Sequence, residues 1–124
     1  MLKPVETIKI LQNNSYTQSF LPAGEIIFQQ GAEGNEMYGV IDGEVEMLVN
    51  DKVVETIKKG DVFGQGALVH SDNLRTSTAR AKTDCKIASL DQEHFLFAVQ
   101  ETPMFAIEVM RSYSDRLRSL KFLI

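Results

Sequence analysis

The sequence predicts a mainly β fold, a double-stranded β-helix (jelly roll or β-roll) capped by N-terminal and C-terminal helices. Between residues 20 and 90, short runs of apolar or β-branched residues recur, and each run ends at a glycine or a polar pair. Frequent turn signals without intervening helices are typical of an antiparallel barrel or jelly roll. After residue 91 the apolar residues recur at three- and four-residue spacing, which indicates helices.

The chain has 124 residues, the length of a single domain. We therefore expect one domain over residues 1–124, with the β-roll over about 20–90 and C-terminal helices over about 91–121.

Six strands are predicted along the β-roll, over residues 25–29, 37–41, 45–49, 53–57, 76–81 and 85–90. Asp42-Gly43 is a strong hairpin signal, and Asn50-Asp51 is a second two-residue turn. Each is therefore predicted to join two neighbouring strands as a hairpin. A third turn is predicted at residues 58–61.

Three helices are predicted at the two ends of the chain. The first covers residues 4–11, where apolar residues have three-residue spacing. Asp91 is the predicted N-cap of the second, and Thr102-Pro103 is the predicted start of the third, which runs to about residue 121. The third helix carries an apolar stripe that either lies on the barrel or pairs with its copy in a second chain: Ala106, Val109, Met110, Tyr113, Leu117 and Leu120.

Composition excludes several classes of protein. No apolar run approaches the length of a membrane span, and the N-terminus lacks the basic-then-apolar order of a secretory signal. Cys85 is the single cysteine, so no intrachain disulfide is possible and we expect a cytoplasmic location. The net charge of −4 argues against a general affinity for nucleic acid.

One segment has the residue types of a small-phosphate pocket. Gly64 and Gly66 flank a polar residue ahead of a possible helical turn, which lets backbone N–H groups converge on an anion. Arg75 follows eleven residues later and supplies a two-pronged positive group. Thr76 and Ser77 add hydroxyl and backbone donors beside it. Together they favour a phosphate site over a simple tight turn.

These residues resemble the phosphate-binding cassette of the cyclic-nucleotide-binding domain family. The matching segments are Gly64-Gln65-Gly66-Ala67-Leu68 and Arg75-Thr76-Ser77-Thr78-Ala79, with the loop length of the catabolite activator protein (Crp–Fnr) branch. Gly43 and residues 59–64 resemble the family's hairpin glycine and its entry to the cassette. Residues 80–85 and the stripe after Pro103 resemble its closing strands and dimerisation helix.

The resemblance implies a regulatory domain that binds cAMP or cGMP and requires no cofactor or metal. By matched position, Arg75 pairs with the cyclic phosphate, and Gly64, Ala67 and Thr76 supply donors. The ligand-binding residues predicted in this way are Gly64, Gln65, Gly66, Ala67, Arg75, Thr76 and Ser77.

Gln65 stands where the family has a glutamate that binds the ribose 2′-hydroxyl, which predicts weakened binding. The family's base-contacting polar residues match Leu120 and Lys121, so the choice between adenine and guanine stays open. The resemblance also implies that ligand binding moves the C-terminal helix, and that this helix joins two chains as a homodimer.

Other functions have less support in the sequence. A metalloenzyme of the cupin type needs a histidine cluster, and this chain has only His70 and His94, while Cys85 has no histidine near it in sequence; no enzyme activity is predicted. Two alternatives remain open: a β-roll without a ligand that serves as an interaction module, and the sensor domain of a Crp-type transcription regulator without its helix-turn-helix. In either case we expect no membrane binding and no direct DNA contact by this chain.

Overall fold

The computed structural model describes Pro4 and residues 17–121, with the side chains of residues 17 and 119–121 excluded. In that part of the chain, eight strands form two four-stranded antiparallel sheets, with the orders β1-β8-β3-β6 and β2-β7-β4-β5. The strands are β1 (Thr17–Leu21), β2 (Ile26–Phe28), β3 (Glu36–Asp42), β4 (Val45–Val49), β5 (Lys52–Ile57), β6 (Val62–Phe63), β7 (Thr78–Ala81) and β8 (Cys85–Asp91). The helices are α1 (Gly66–Val69), α2 (Gln92–Glu101) and α3 (Met104–Lys121). The predicted mainly β fold with C-terminal helices is confirmed.

All six predicted strands are present, with ends that differ by up to two residues. The prediction missed β1 and β6, because β1 carries polar residues and β6 has only two residues. The predicted turn at Asn50-Asp51 closes a true hairpin, since β4 and β5 pair with each other. Both turn residues have positive φ, at 51° and 67°, as a type I′ turn requires.

The hairpin predicted at Asp42-Gly43 is wrong. The chain does turn there, with Gly43 at φ 87°, but β3 and β4 belong to different sheets and do not pair. The turn is instead hydrogen-bonded to the corner before β8: the Glu44 N–H donates to Thr83 Oγ1 at 3.0 Å, and the Lys82 N–H donates to the Glu44 carbonyl oxygen. A side chain on Gly43 would overlap the Asp84 carbonyl. This close approach turns the chain from one sheet to the other.

The core has two layers separated by the sheet that contains β3. Successive side chains of a strand point to opposite faces, so Val40 packs between the two sheets while Met37 and Ile41 pack against the helices. Phe63 and Ile57 fill the inter-sheet layer and are fully buried. The cavity described below opens beside this layer.

The helices partly follow the prediction. Asp91 is the N-cap of α2, and its Oδ1 accepts from the His94 N–H at 2.8 Å. The predicted stripe of α3 is divided between two faces: Val109 and Tyr113 pack on the core beside the fully buried Phe105, while Met110 and Leu117 are exposed. Apart from Pro4, the helix predicted over residues 4–11 lies outside the described residues. None of the helices described in residues 17–121 combines the length and apolar character needed to cross a membrane.

Candidate functional site

A cavity of about 220 Å³ opens between the inter-sheet core and α3. It is lined by β4, β5 and β6, by the turn that leads into α1, by the segment before β7 and by α3. All seven ligand-binding residues predicted from the sequence line it: Gly64, Gln65, Gly66, Ala67, Arg75, Thr76 and Ser77. Two segments whose first residues, Gly64 and Arg75, are eleven positions apart therefore meet around one cavity, while their role in binding stays a prediction.

The glycines of the first segment shape the wall of the cavity. Gly64 has φ 79°, a conformation that side-chain-bearing residues rarely adopt, so the chain leaves β6 sharply and turns into α1. A Cβ on Gly64 would also lie 3.0 Å from Nη1 of Arg75. Ala67 is buried in the short helix, so the backbone of residues 64–67 runs directly along the cavity. The N–H groups at the start of a helix have no partner within it, and the first residues of α1, Gly66 and Ala67, line the cavity.

Arg75 is almost fully buried, at 6% exposure, and several contacts hold its side chain in position. Its Nη1 donates to the Gly64 carbonyl oxygen at 2.7 Å, and its Nη2 donates to the Glu36 carbonyl oxygen at 2.8 Å. The guanidinium lies over the Phe28 ring, 4.0 Å from the ring centroid, which is a cation–π contact. Its backbone is bonded to the loop after β2, where the Arg75 N–H donates to the Ala32 carbonyl oxygen at 2.8 Å.

The Arg75 guanidinium has an unused donor. Within the described part of the chain, its buried Nε–H has no hydrogen-bond partner. Burial lowers the pKa of Arg75, whereas the nearby side chains of Tyr38 and Glu36 raise it. A buried donor on a positive group without a partner is unfavourable, so an acceptor supplied by a ligand would stabilise it.

The prediction missed three polar residues that line the same cavity, Glu55 on β5 and Tyr113 and Arg116 on α3. Arg116 Nε donates to Glu55 Oε2 at 2.6 Å. Burial raises the pKa of Tyr113 to about 12, and the positive charge of Arg116 opposes this rise. One signal in the sequence could have found Glu55: it stands two residues before the apolar Ile57, on the same face of its strand.

The single cysteine and the two histidines lie in different environments. Cys85 is a buried free thiol whose Sγ donates to the Glu44 carbonyl oxygen at 3.0 Å, in line with a structural role. His94 is exposed on α2, whereas His70 is exposed at the rim of the cavity. Among the described residues, no three His, Cys, Asp or Glu side chains are grouped as a metal site needs. The side chains of Leu120 and Lys121 lie outside the described residues.

The fold and the cavity define a β-roll domain with a polar pocket that suits a small anionic ligand. Residues 18–102 match the family model described as "Cyclic nucleotide-binding domain", and this segment is more than half of the chain. The chain belongs to the cyclic nucleotide-binding domain family.

Individual relatives agree with this assignment. The chain is 46% identical over 74 residues to the cAMP-dependent protein kinase regulatory subunit of Schizosaccharomyces pombe. The aligned segment covers 59% of this chain and 18% of that protein. It is 29% identical over 108 residues to the cGMP-dependent protein kinase of Plasmodium berghei. Here the aligned segment covers 86% of this chain and 12% of that protein. The chain therefore spans less than a fifth of the length of either relative.

A solved structure shows the same fold. The catabolite activator protein of Thermus thermophilus superposes with a TM-score of 0.77 at 23% identity, over 94% of this chain and 56% of that one. At this identity the likeness concerns the fold alone.

Proposed function

We propose that this chain is a regulatory domain that binds a cyclic purine nucleotide, cAMP or cGMP, with the phosphate at Arg75. The observation that carries the proposal is the buried Arg75 guanidinium, which has an unpaired Nε–H and belongs to a residue that lines the cavity together with the glycine turn, Thr76 and Ser77. The relatives named for dependence on cAMP and on cGMP support this class of ligand. Binding, and not catalysis, is the proposed activity.

Arg75 is suited both to brace the pocket and to bind a phosphate. A guanidinium has five N–H donors, and the bonds to the carbonyl oxygens of Gly64 and Glu36 use two of them. The remaining donors include Nε–H, which with a neighbouring N–H forms a fork for two phosphate oxygens. The charge-assisted bonds would offset the burial of this group.

Gln65 is proposed to accept from the ribose 2′-hydroxyl. A hydrogen bond to a neutral amide contributes about 0.5–1.5 kcal/mol, against about 1.5–3 kcal/mol for one to a carboxylate. We therefore expect an affinity roughly five- to tenfold lower than a glutamate here would give. The neutral amide also avoids a second negative charge beside the phosphate.

Binding can be tested by titration calorimetry with cAMP and with cGMP on the wild type, on Arg75→Ala and on Arg75→Lys. We expect micromolar binding by the wild type, no measurable binding by Arg75→Ala, and an intermediate affinity for Arg75→Lys, which keeps the charge but loses the fork. Arg80→Ala is the matched control, because Arg80 contacts Glu46 at 3.5 Å and does not line the cavity.

Melting temperatures of all four proteins show whether loss of binding reflects loss of folding. Equal affinity of the wild type and a folded Arg75→Ala would refute phosphate binding at Arg75. No heat with either nucleotide, together with an unchanged melting temperature, would refute the binding function itself.

The proposed output element is α3. Two of its side chains, Tyr113 and Arg116, line the cavity, so a ligand there contacts the helix directly. A ligand moves an element only if it binds one position of that element more tightly than another. Hydrogen exchange of residues 104–121 tests this: saturating nucleotide should change protection in α3, and unchanged exchange would refute the coupling.

The second candidate is a dimerisation module, with or without a ligand. It rests on the outward face of α3, where Met104, Ile107, Met110 and Leu117 are each between 44% and 64% exposed. Exposed apolar side chains grouped on one face of a helix favour association with another protein surface. Such a dimer would suit the sensor part of a transcription regulator.

A further inference from the structure

Strand β5 places a carboxylate on the inner face of the barrel. Glu55 lies directly opposite Met47 in the β4–β5 pairing, and both line the cavity. Ile57, two residues along the same face, is fully buried. A residue in this register usually packs as an apolar side chain. Glu55 therefore puts a negative charge where the fold alone favours an apolar residue.

Arg116 holds this carboxylate from the opposite side of the cavity. Its Nε donates to Glu55 Oε2 at 2.6 Å, and the two side chains are only 16% and 21% exposed. Its Nη1 donates to the Val62 carbonyl oxygen at 2.5 Å and to Ser112 Oγ at 3.0 Å. The guanidinium also lies 4.2 Å from the centroid of the Tyr113 ring. Four contacts thus fix the arginine, and through it the direction of the carboxylate.

The pair is only partly satisfied by the protein. The bond from Arg116 Nε goes to Oε2 of Glu55 and leaves Oε1 without a bond from this arginine. A buried ion pair contributes little to stability after desolvation, so stability alone is a weak reason to keep one. Both groups border the cavity that also contains Arg75. Glu55 therefore offers a hydrogen-bond acceptor, and Arg116 a donor, to a ligand in the cavity.

A nucleotide held by its phosphate at Arg75 would bring its base to Glu55 and Arg116, because all three residues line one cavity. Guanine carries two adjacent donors, N1–H and the 2-amino group, beside the O6 acceptor. A carboxylate accepts from both donors, and an arginine N–H donates to O6. Adenine offers a carboxylate only one donor, its 6-amino group, beside the N1 acceptor, so one of the two carboxylate hydrogen bonds is lost.

We propose that Glu55, positioned by Arg116, determines the choice of base in this pocket and selects guanine over adenine. The inference rests on the proposed nucleotide binding and names the ligand as a cyclic guanine nucleotide.

The test is titration calorimetry of the wild type and of Glu55→Gln with cGMP, cIMP and cAMP. The wild type should bind cGMP roughly tenfold or more tightly than cAMP, because a bidentate contact discriminates by this order. The affinity for cIMP should fall between them, since hypoxanthine keeps N1–H but lacks the 2-amino group. In Glu55→Gln the preference for cGMP over cAMP should fall below about threefold.

Glu46→Gln is the matched control, because Glu46 lies on β4 and pairs with Arg80 outside the cavity. It should keep the wild-type preference. A Glu55→Gln protein that does not fold leaves the wild-type series of three nucleotides as the decisive measurement.

The outcomes separate the two proposals. Equal affinities for cGMP and cAMP, a preference for cAMP, or an unchanged preference in folded Glu55→Gln would overturn the role of Glu55 while leaving nucleotide binding intact. Absence of binding to all three nucleotides by the folded wild type would overturn the proposed function and this inference with it.

Discussion

Arg75 occupies space that a glycine provides. Gly34 lies against the guanidinium, and a Cβ at this position would overlap the Nε, Cζ and Nη2 atoms of Arg75. The Gly34 backbone does not have positive φ, so alanine fits its conformation. Residue 34 lacks a side chain because Arg75 occupies the space beside it, and not because the backbone conformation requires glycine.

Gly34→Ala should displace the Arg75 side chain and weaken cyclic nucleotide binding by roughly tenfold or more. The physical reason is the loss of charge-assisted hydrogen bonds to the phosphate, each worth about 1.5–3 kcal/mol. Calorimetric titration with cGMP and cAMP measures the effect.

Gly24→Ala is the control for general destabilisation. Gly24 has φ 91°, and a Cβ added there would meet no other atom within 4 Å. Alanine at this position therefore introduces backbone strain of about 1 kcal/mol without touching the cavity. Its affinity should equal that of the wild type. Unchanged affinity in Gly34→Ala would show that Arg75 does not need its present position.

At the scale of the element, α2 begins at an ion pair that responds to pH. Asp91 Oδ1 accepts from the His94 N–H at 2.8 Å and lies 2.6 Å from His94 Nδ1. The hydrogen bond to Asp91 and its negative charge raise the pKa of His94. The hydrogen bonds from His94, backbone first, lower the pKa of Asp91.

The raised pKa of His94 predicts that stability falls as pH rises. The contribution of protonated His94 is complete below its ordinary pKa near 6.5 and is lost as pH rises through the higher folded value. The effect should be small and reduced by salt, because the two side chains are 60% and 44% exposed. Melting temperatures from pH 5.5 to 8.5 test it.

His94→Gln should remove this pH dependence, whereas His70→Gln should keep it, since His70 is not part of the pair. A dependence that persists in His94→Gln would contradict the assignment to this residue. The lowered pKa of Asp91 affects stability in the acid range. The stabilisation by ionised Asp91 is complete above about pH 3.8 and is lost as the pH falls through the lower pKa of the folded protein.

At the scale of the whole molecule, α3 has two faces in different environments. Phe105, Val109 and Ser112 on the inner face are buried, and Phe105 packs on Phe95 with ring centroids 5.7 Å apart. The outer face exposes the apolar residues Met110 and Leu117. A ligand that shifts the inner face would also shift the outer face, so any partner bound there would sense the ligand.

The outer face predicts a homodimer that depends on apolar contacts. Leu117→Glu combined with Met110→Glu should convert a dimer into a monomer, because each buried leucine or methionine contributes about 1.5–3 kcal/mol. Sedimentation velocity at micromolar concentrations measures the change. Leu96→Glu is the matched control, because Leu96 on α2 is exposed to the same extent as Leu117, at 59%. A monomeric wild type at these concentrations would contradict the prediction.

The sequence by itself determined the β-roll class, the hairpin turn between β4 and β5, the start of α2, and the two segments that meet at the cavity. These features depend on local chemistry: period-two alternation in the strands, positive φ at Asn50 and Asp51, the Asp91 cap, and the glycines around residue 65. The assignment of residues 1–124 to a single domain stays a prediction.

Only the tertiary structure decided which elements pair and which side chains meet. Asp42-Gly43 has the local chemistry of a hairpin, but the corner before β8 draws its backbone hydrogen bonds and sends β4 into the other sheet. The face of α3 toward the barrel was set by the fit of Phe105 into the core, which periodicity does not define to within one residue. Glu55 and Arg116 are 61 residues apart, and a contact at that separation follows from the packing of α3 on the sheet and not from any local pattern.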